Sequence, residues 1–322
     1  MKSNTLNKPM IALIAFIGLA CVSLLIGVAN INLQQIINSD SQALEILVTS
    51  RIPRLLAIAL AGAGLSISGL IMQQIVQNRF AAPSTTGTID CAMLGYIVAI
   101  LLFSDFGGWT HLIVIMFFSI IGTLIFVRFL QKLKFKNTIM VPLIGIMYGN
   151  VISALTTFIA YKYDLVQTLN SWVVANFSSI LRGNFEFLYL TIPASIIAYF
   201  YASKFSVTSI GETFAKNIGL NYQRIVLIGI VLVSILSSSV VMIVGVIPFL
   251  GLIVPNVVAI FLGDNMRRNL PWTAYWGVML VLACDILGRV IIFPYEMPIS
   301  MIISIFGGAV FIYLILKDKS NA

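Results

Sequence analysis

Arg51 and Arg54 flank a proline at the start of a long apolar run, "RIPRLLAIALAGAGLSISGLIMQQIVQNRFAAPS", and the chemistry they offer is non-covalent. A guanidinium fork meets a carboxylate bidentately, which suits recognition of an acidic partner. The same side chains also anchor a helix at a membrane surface by snorkelling, with Pro53 tolerated in the first turn because its missing N–H does no harm there. Arg289 in "CDILGR" carries the same fork, and Glu296 in "YEMP" offers a carboxylate that braces the last helix or meets a partner. Asp285 is the main ionisable group inside an apolar run, with Asp90 near the edge of another. Asp285 would be the ion site if the chain were an ion-coupled carrier.

Covalent chemistry finds no support. The chain has no phosphate loop, zinc-ligand pair or nucleophile elbow. Its single histidine, His111, sits at the edge of an apolar run and fits interfacial packing. Cys21, Cys91 and Cys284 show no paired spacing and read as small apolar residues, without a metal site or disulfide. These absences argue against an enzyme acting by itself and leave transport, a channel or a membrane scaffold.

The elements that must position these groups follow from composition. The chain has 322 residues, 60% of them hydrophobic and only 9% charged. Mean hydropathy is +1.04. A soluble domain carries roughly a quarter charged residues. Runs of about 20 apolar residues, the length that crosses a bilayer core, recur along the chain. Ten are expected to span: Met10 to Ala29, Arg54 to Val76, Thr88 to Phe103, Leu112 to Leu130, Ile139 to Tyr161, Leu188 to Ser203, Ile225 to Gly245, Ile247 to Leu262, Trp272 to Phe293 and Met297 to Leu316. Helices are required because backbone groups in lipid must be satisfied within the segment, and the short alternating segments of a β-barrel are absent. Lys2 and Lys8 precede the first run, but no small-residue cleavage site follows before "NINLQQIINSDSQ", so it reads as a retained helix.

Charge then gives orientation. With the N-terminus in the cytoplasm, the inside segments hold Lys2, Lys8, Arg79, Arg128, Lys132, Lys134, Lys136, Lys204, Lys216, Arg224, Arg267, Arg268, Lys317 and Lys319. These are 14 of the 19 basic residues. The positive-inside rule therefore puts both termini in the cytoplasm. It also accounts for the net charge of +8 without nucleic acid as a partner.

Three further stretches carry local signals. "QNRFAAP", Gln77 to Pro83, breaks a helix at its inner end; it is either a simple turn or a lining for a water-filled cavity, since broken backbone is not tolerated against lipid. In "KFSVTSIGETFAKNIGLNYQR", residues 204–224, Thr208 or Ser209 can cap a short helix. Glu212 lies in its first turn and Gly219 at its C-terminal cap. So short a helix is marginal in water and needs a surface to dock on. In "GNVISALTTF", Asn150, Ser153, Thr156 and Thr157 could line a polar path or act as packing glue. "SGLIMQQIV" from Ser68 and "LGLIVPNVV" from Leu250 echo each other, as the two halves of a repeat would.

From Arg51 onward the chain resembles the FecCD family of ABC-transporter permeases, which import iron-siderophore complexes, haem and cobalamin. The resemblance rests on "RIPRLLAIALAGAGLSISGLIMQQ", "QNRFAAP", "GETFAKNIGL", "GVIPFLGLIVPN", "GDNMRRNLPW", "CDILGR" and "YEMPIS...GGAVFIYLIL", in the family's order and spacing. It implies docking of an extracytoplasmic substrate-binding protein by Arg51, Arg54 and Arg289, with Glu296 at a matching position. It implies coupling to the ATPase by Gly211, Glu212, Ala215 and Gly219, and a cytoplasmic gate at Asn78, Phe80 and Pro83, where Arg79 replaces the usual Pro and Phe80 the usual Leu. Asn150, Ser153, Thr156 and Thr157 would line a path between two permease subunits. Where the family often has Pro-His with a following Arg, this chain has Pro255, Asn256 and Ala259, a form similar to that of a subgroup importing catecholate-type siderophores.

The expectation is thus an all-α polytopic membrane protein of about ten helices, one transmembrane permease domain over residues 1–322 with a cytoplasmic coupling loop at 204–224. It would sit in the bacterial cytoplasmic membrane, pair with itself or a paralogue, and take a ferric siderophore as cargo. Two separate ATP-binding subunits would supply the energy, and the chain would hold no cofactor or metal of its own. A haem or cobalamin permease is the alternative within the family. An ion-coupled carrier using Asp285 is the rival outside it.

Overall fold

The computed structural model describes residues 9–27, 41–133 and 140–319, and among these every regular element is helical. The helices are α1 (Pro9–Leu25), α2 (Ser41–Ile46), α3 (Ile52–Val76), α4 (Thr88–Leu102), α5 (Gly108–Lys132), α6 (Met140–Lys162), α7 (Val166–Val173), α8 (Thr191–Thr208), α9 (Glu212–Asn217), α10 (Tyr222–Val244), α11 (Leu250–Leu262), α12 (Met266–Val290) and α13 (Ile299–Lys319). Each expected span holds one of them, while α2, α7 and α9 are short additions. Lys2, Lys8, Lys134, Lys136, the end of the first expected span at Val28 and Ala29, and most of "NINLQQIINSDSQ" lie outside the described residues, as do the side chains of Lys317 and Lys319.

Among the described residues five helices are long and apolar enough to cross a bilayer: the continuous helix Ser41–Val76, α5, α6, α10 and α12. The second span starts earlier than expected, because α2 runs through a π-helical turn, Leu47–Arg51, into α3. Pro53 cannot donate to the carbonyl four residues back. That carbonyl, Thr49 O, instead accepts from the backbone N–H of Arg182 at 3.0 Å. At the other extreme α11 has 13 residues, about 20 Å of helix, too short to cross alone. Its start is delayed from Ile247 because Pro248 intervenes and Phe249 takes a left-handed conformation at φ 61°.

The helix α3 is the axis of the bundle, packed against α12, α10, α11 and α8. The reason lies in "AGAGLSISG". A Cβ built on Gly69 would stand 1.8 Å from the Gly251 carbonyl oxygen, and one on Gly62 would stand 2.8 Å from that of Gly277. Backbones meet directly there, the close packing that small residues allow where lipid gives no hydrophobic drive. Gly69 and Gly251 are matching residues of the two echoing stretches, so the echo marks one crossing of α3 with α11. Around this axis the outer helices turn apolar side chains outward. Ile121, Ile125 and Phe129 of α5 are exposed, as are Leu143, Met147, Val151 and Phe158 of α6. A soluble protein would not leave such a skin uncovered.

One feature was absent from the sequence expectation. The segment after α7 returns to the bundle, where Val246 N–H donates to Val173 O at 3.2 Å and Asn176 N–H to Val244 O at 3.0 Å. Trp172 stacks on Tyr96 with centroids 3.8 Å apart and donates its indole N–H to Met242 O.

Candidate functional site

The charged residues singled out above meet at one end of α3. Arg54, in its first turn, donates from Nη1 to both oxygens of Glu296, at 3.0 and 2.9 Å, and from Nη2 to Asp285 Oδ1 at 2.7 Å. Asp285 Oδ2 accepts from Arg289, four residues on in α12. A single carboxylate is thus held between two guanidiniums, with side-chain exposures of only 3% for Asp285 and 5% for Arg289.

Further donors of this cluster go to α1, while Arg289 Nε is buried without a partner among the described residues. Arg289 Nη1 donates to the carbonyls of Ser23 and Ile26 at 2.9 and 2.8 Å, and Nη2 to Ser23 Oγ at 2.6 Å. Arg51 donates to the carbonyls of Leu24 and Leu25. The last carbonyls of a helix have no intrahelical partner and carry partial negative charge, so cations are favoured there. Arg51 and Arg289 therefore cap α1 from two other helices. The expectation that their forks point outward does not match this geometry, since both are buried and spent on α1 and Asp285. Arg54 and Glu296, with side chains 13% and 21% exposed, lie nearest the surface.

The opposite end of α3 is about 35 Å away along its axis at 1.5 Å per residue. There α3 stops at Gln77, which adopts φ 56°. Asn78 is buried and its Oδ1 accepts from Phe80 N–H at 2.8 Å, closing a tight Asx turn, while Pro83 opens a 3-10 turn. Phe80 is half-buried and meets Phe311 of α13 edge-on at 5.8 Å, and Phe311 lies 6.1 Å from Phe249. Asn256, considered above for specificity, has a structural task. Its Nδ2 donates to Arg79 O and Leu252 O, both at 2.8 Å, tying α11 to the broken turn. Arg79 pairs with Asp264 at 3.0 Å, fully on the surface.

The loop 204–224 lies at this end too. Its first part is helix: Phe205 and Thr208 continue the buried face of α8, and Lys204 rests over the Tyr201 ring at 4.5 Å. The N-cap of α9 is Gly211, with φ 129°, in place of the expected Thr208 or Ser209, whose hydroxyls bond back into α8. Gly219 closes α9 as expected, with φ 79° and its N–H on Lys216 O, while Leu220 N–H reaches Ala215 O. Glu212 is exposed and pairs with Lys216 at 2.8 Å. Ala215 is fully buried, so it seats α9 on the bundle and cannot offer itself to a partner. The exposed apolar residues are Ile210, Phe214 and Ile218, at 63%, 44% and 51%. Their four-residue spacing was legible in the sequence and was missed. Gln77, also missed, links the two features of this end by donating from Nε2 to Thr208 O at 3.1 Å.

The four polar residues of α6 separate. Thr156 is wholly buried and bonds to Ile152 O, whereas Asn150 and Thr157 are exposed on one side with Ser153 half-buried beside them. His111 Nε2 donates to Phe103 O at 2.9 Å, a loop brace. Among the described residues no group of three or more His, Cys, Asp or Glu could hold a metal ion.

A multi-pass helical membrane protein with these features has known counterparts, and residues 13–317 match the FecCD transport family. The chain belongs to that family. It is 45% identical to the petrobactin import system permease protein YclN of Bacillus subtilis over 96% of this chain and 98% of that one. It is 40% identical to the petrobactin permease protein FatD of Bacillus anthracis over 97% and 92%. The ferric-anguibactin permease protein FatD of Vibrio anguillarum is 36% identical over 95% and 97%. Among solved structures, a metal-chelate type ABC transporter in an inward-facing conformation superposes with a TM-score of 0.78 at 25% identity, covering 95% of this chain and 97% of that one.

Proposed function

We propose that this chain is the permease subunit of a bacterial importer that carries ferric petrobactin, or a ferric siderophore of the same class, across the cytoplasmic membrane. The observation that carries it is the 45% identity to a petrobactin import permease along nearly the whole length of both chains. Two permease subunits would enclose the path, with the exposed face of α6 bearing Asn150, Ser153 and Thr157 on its wall. Two ATPase subunits would bind and hydrolyse ATP, and this chain would hold no cofactor.

Orientation follows from the basic residues, with both termini and the loop around α9 in the cytoplasm. The short helix α9, pinned by Ala215 and bounded by Gly211 and Gly219, would seat Ile210, Phe214, Ile218 and Glu212 in the ATPase. Movement there would reach Asn78, Phe80 and Pro83 through the Gln77–Thr208 bond and bias the bundle between outward- and inward-open states. At the outer end, Arg54 would exchange Glu296 for a carboxylate of the binding protein, while Arg51 and Arg289 hold α1 in place. Asp285 is poorly suited to a transported cation, because both of its oxygens are already occupied by arginines.

The test is uptake of iron-55 petrobactin by cells that lack this permease and are complemented with the wild-type gene. Restored uptake that is abolished when the ATPase gene is deleted supports the proposal. Growth rescue by haem or cobalamin without petrobactin uptake overturns the choice of cargo.

A further inference from the structure

A cavity of about 380 Å³ opens between the C-terminal end of α5 and the N-terminal end of α10. Its lining changes character along the two antiparallel helices. At the helix ends stand Arg128 and Gln131 from α5 and Arg224 from α10; further in, the wall is made by Leu124, Leu227 and Ile230. Both arginines are exposed, and no ion pair among the described residues involves either. Among the described residues, no acidic side chain lines the cavity. The Asn221 side chain accepts from Arg224 N–H at 3.0 Å and so caps α10, whose positive dipole end faces the same mouth.

We propose that this groove holds an anionic phospholipid of the leaflet at the α9 end of the bundle. Its phosphate lies between Arg128 and Arg224, and an acyl chain runs along Leu124, Leu227 and Ile230. Guanidinium forks suit phosphate oxygens, and basic pockets between membrane helices hold anionic head groups. A free phosphate would have no use for the apolar wall. The neighbouring surface of α5 is the lipid-facing skin itself, with Ile125 and Phe129 more than half exposed at 54% and 52%, so the groove is continuous with the hydrocarbon surface. Neither the cargo nor the binding protein touches this groove in the proposed arrangement.

The test is native mass spectrometry of the full-length protein offered phosphatidylglycerol and phosphatidylcholine together. Wild type retains phosphatidylglycerol preferentially, and Arg128→Gln and Arg224→Gln each weaken that preference about fivefold. Arg128→Lys with Arg224→Lys keeps most of it. Inorganic phosphate does not displace the lipid. Equal retention of the two lipids by wild type, an unchanged preference in the glutamine variants, or displacement by inorganic phosphate alone overturns the proposal. So does loss of ATPase co-purification in the glutamine variants with lipid retention intact, which would make the groove a protein contact. The wild-type comparison needs no variant, so a misfolded substitution leaves the proposal open to refutation.

Discussion

The two ends of α3 handle charge in opposite ways. At the Arg54 end, Asp285, Arg289 and Arg51 are buried and Arg54 is half-buried, and together they tie α3, α12, α1 and, through Glu296, the segment before α13 by ion pairs and helix-end carbonyls. At the Gln77 end, the ion pairs Arg79–Asp264 and Glu212–Lys216 stand on the surface, with side-chain exposures of 65% and 74% and of 45% and 63%. Cohesion there comes from single neutral bonds such as Asn256 to Arg79 O. A buried charge network binds helices rigidly because removing one member leaves the others uncompensated. An exposed pair contributes little and releases readily. The difference points to a firm platform at the Arg54 end and a Gln77 end built to rearrange.

Substitutions that break this contrast rank by expected size. Asp285→Ala leaves the buried Arg289 without its carboxylate and Arg54 with Glu296 alone, and should cost about 3–5 kcal/mol, read as a large fall in the unfolding midpoint of the purified protein. An unchanged midpoint would mean the cluster does not hold the platform together. Asn256→Leu orphans the buried end of the turn and should cost about 1–3 kcal/mol in the same assay. Arg79→Ala removes an exposed pair and should shift stability by less than about 1 kcal/mol. Phe214→Glu with Ile218→Glu should leave stability within about 0.5 kcal/mol, as surface changes usually do, yet abolish co-purification of the ATPase. Retained co-purification would remove α9 from the coupling role.

The helices of the bundle were legible because apolar runs stand out in the sequence, although among the described residues only five of them are long and apolar enough to cross a bilayer. The small-residue stripe of α3 was visible as letters, but not as the Gly69–Gly251 contact, which needs residues far apart in the chain. For the same reason the arginines were recognisable as chemistry while their partners were not: Arg54 and Asp285 are 231 positions apart, and Arg289 and Ser23 are 266 apart. Thus Arg51 and Arg289 read as outward-facing docking groups, and the α1 carbonyls that claim them stayed hidden. Ala215 was assigned to a contact by its place in a motif, whereas helical spacing would have put Phe214 and Ile218 outward. The π turn ending at Arg51 and the pairing after α7 leave no period that a sequence pattern could reveal.

The most direct measurement is uptake of iron-55 petrobactin into proteoliposomes holding the permease and ATPase, with binding protein supplied on one side. Import driven by a partner ATPase predicts uptake with ATP, none with a proton or sodium gradient alone, and loss in the Phe214→Glu/Ile218→Glu variant. Gradient-driven uptake by the permease without the ATPase, abolished by Asp285→Asn, would contradict it.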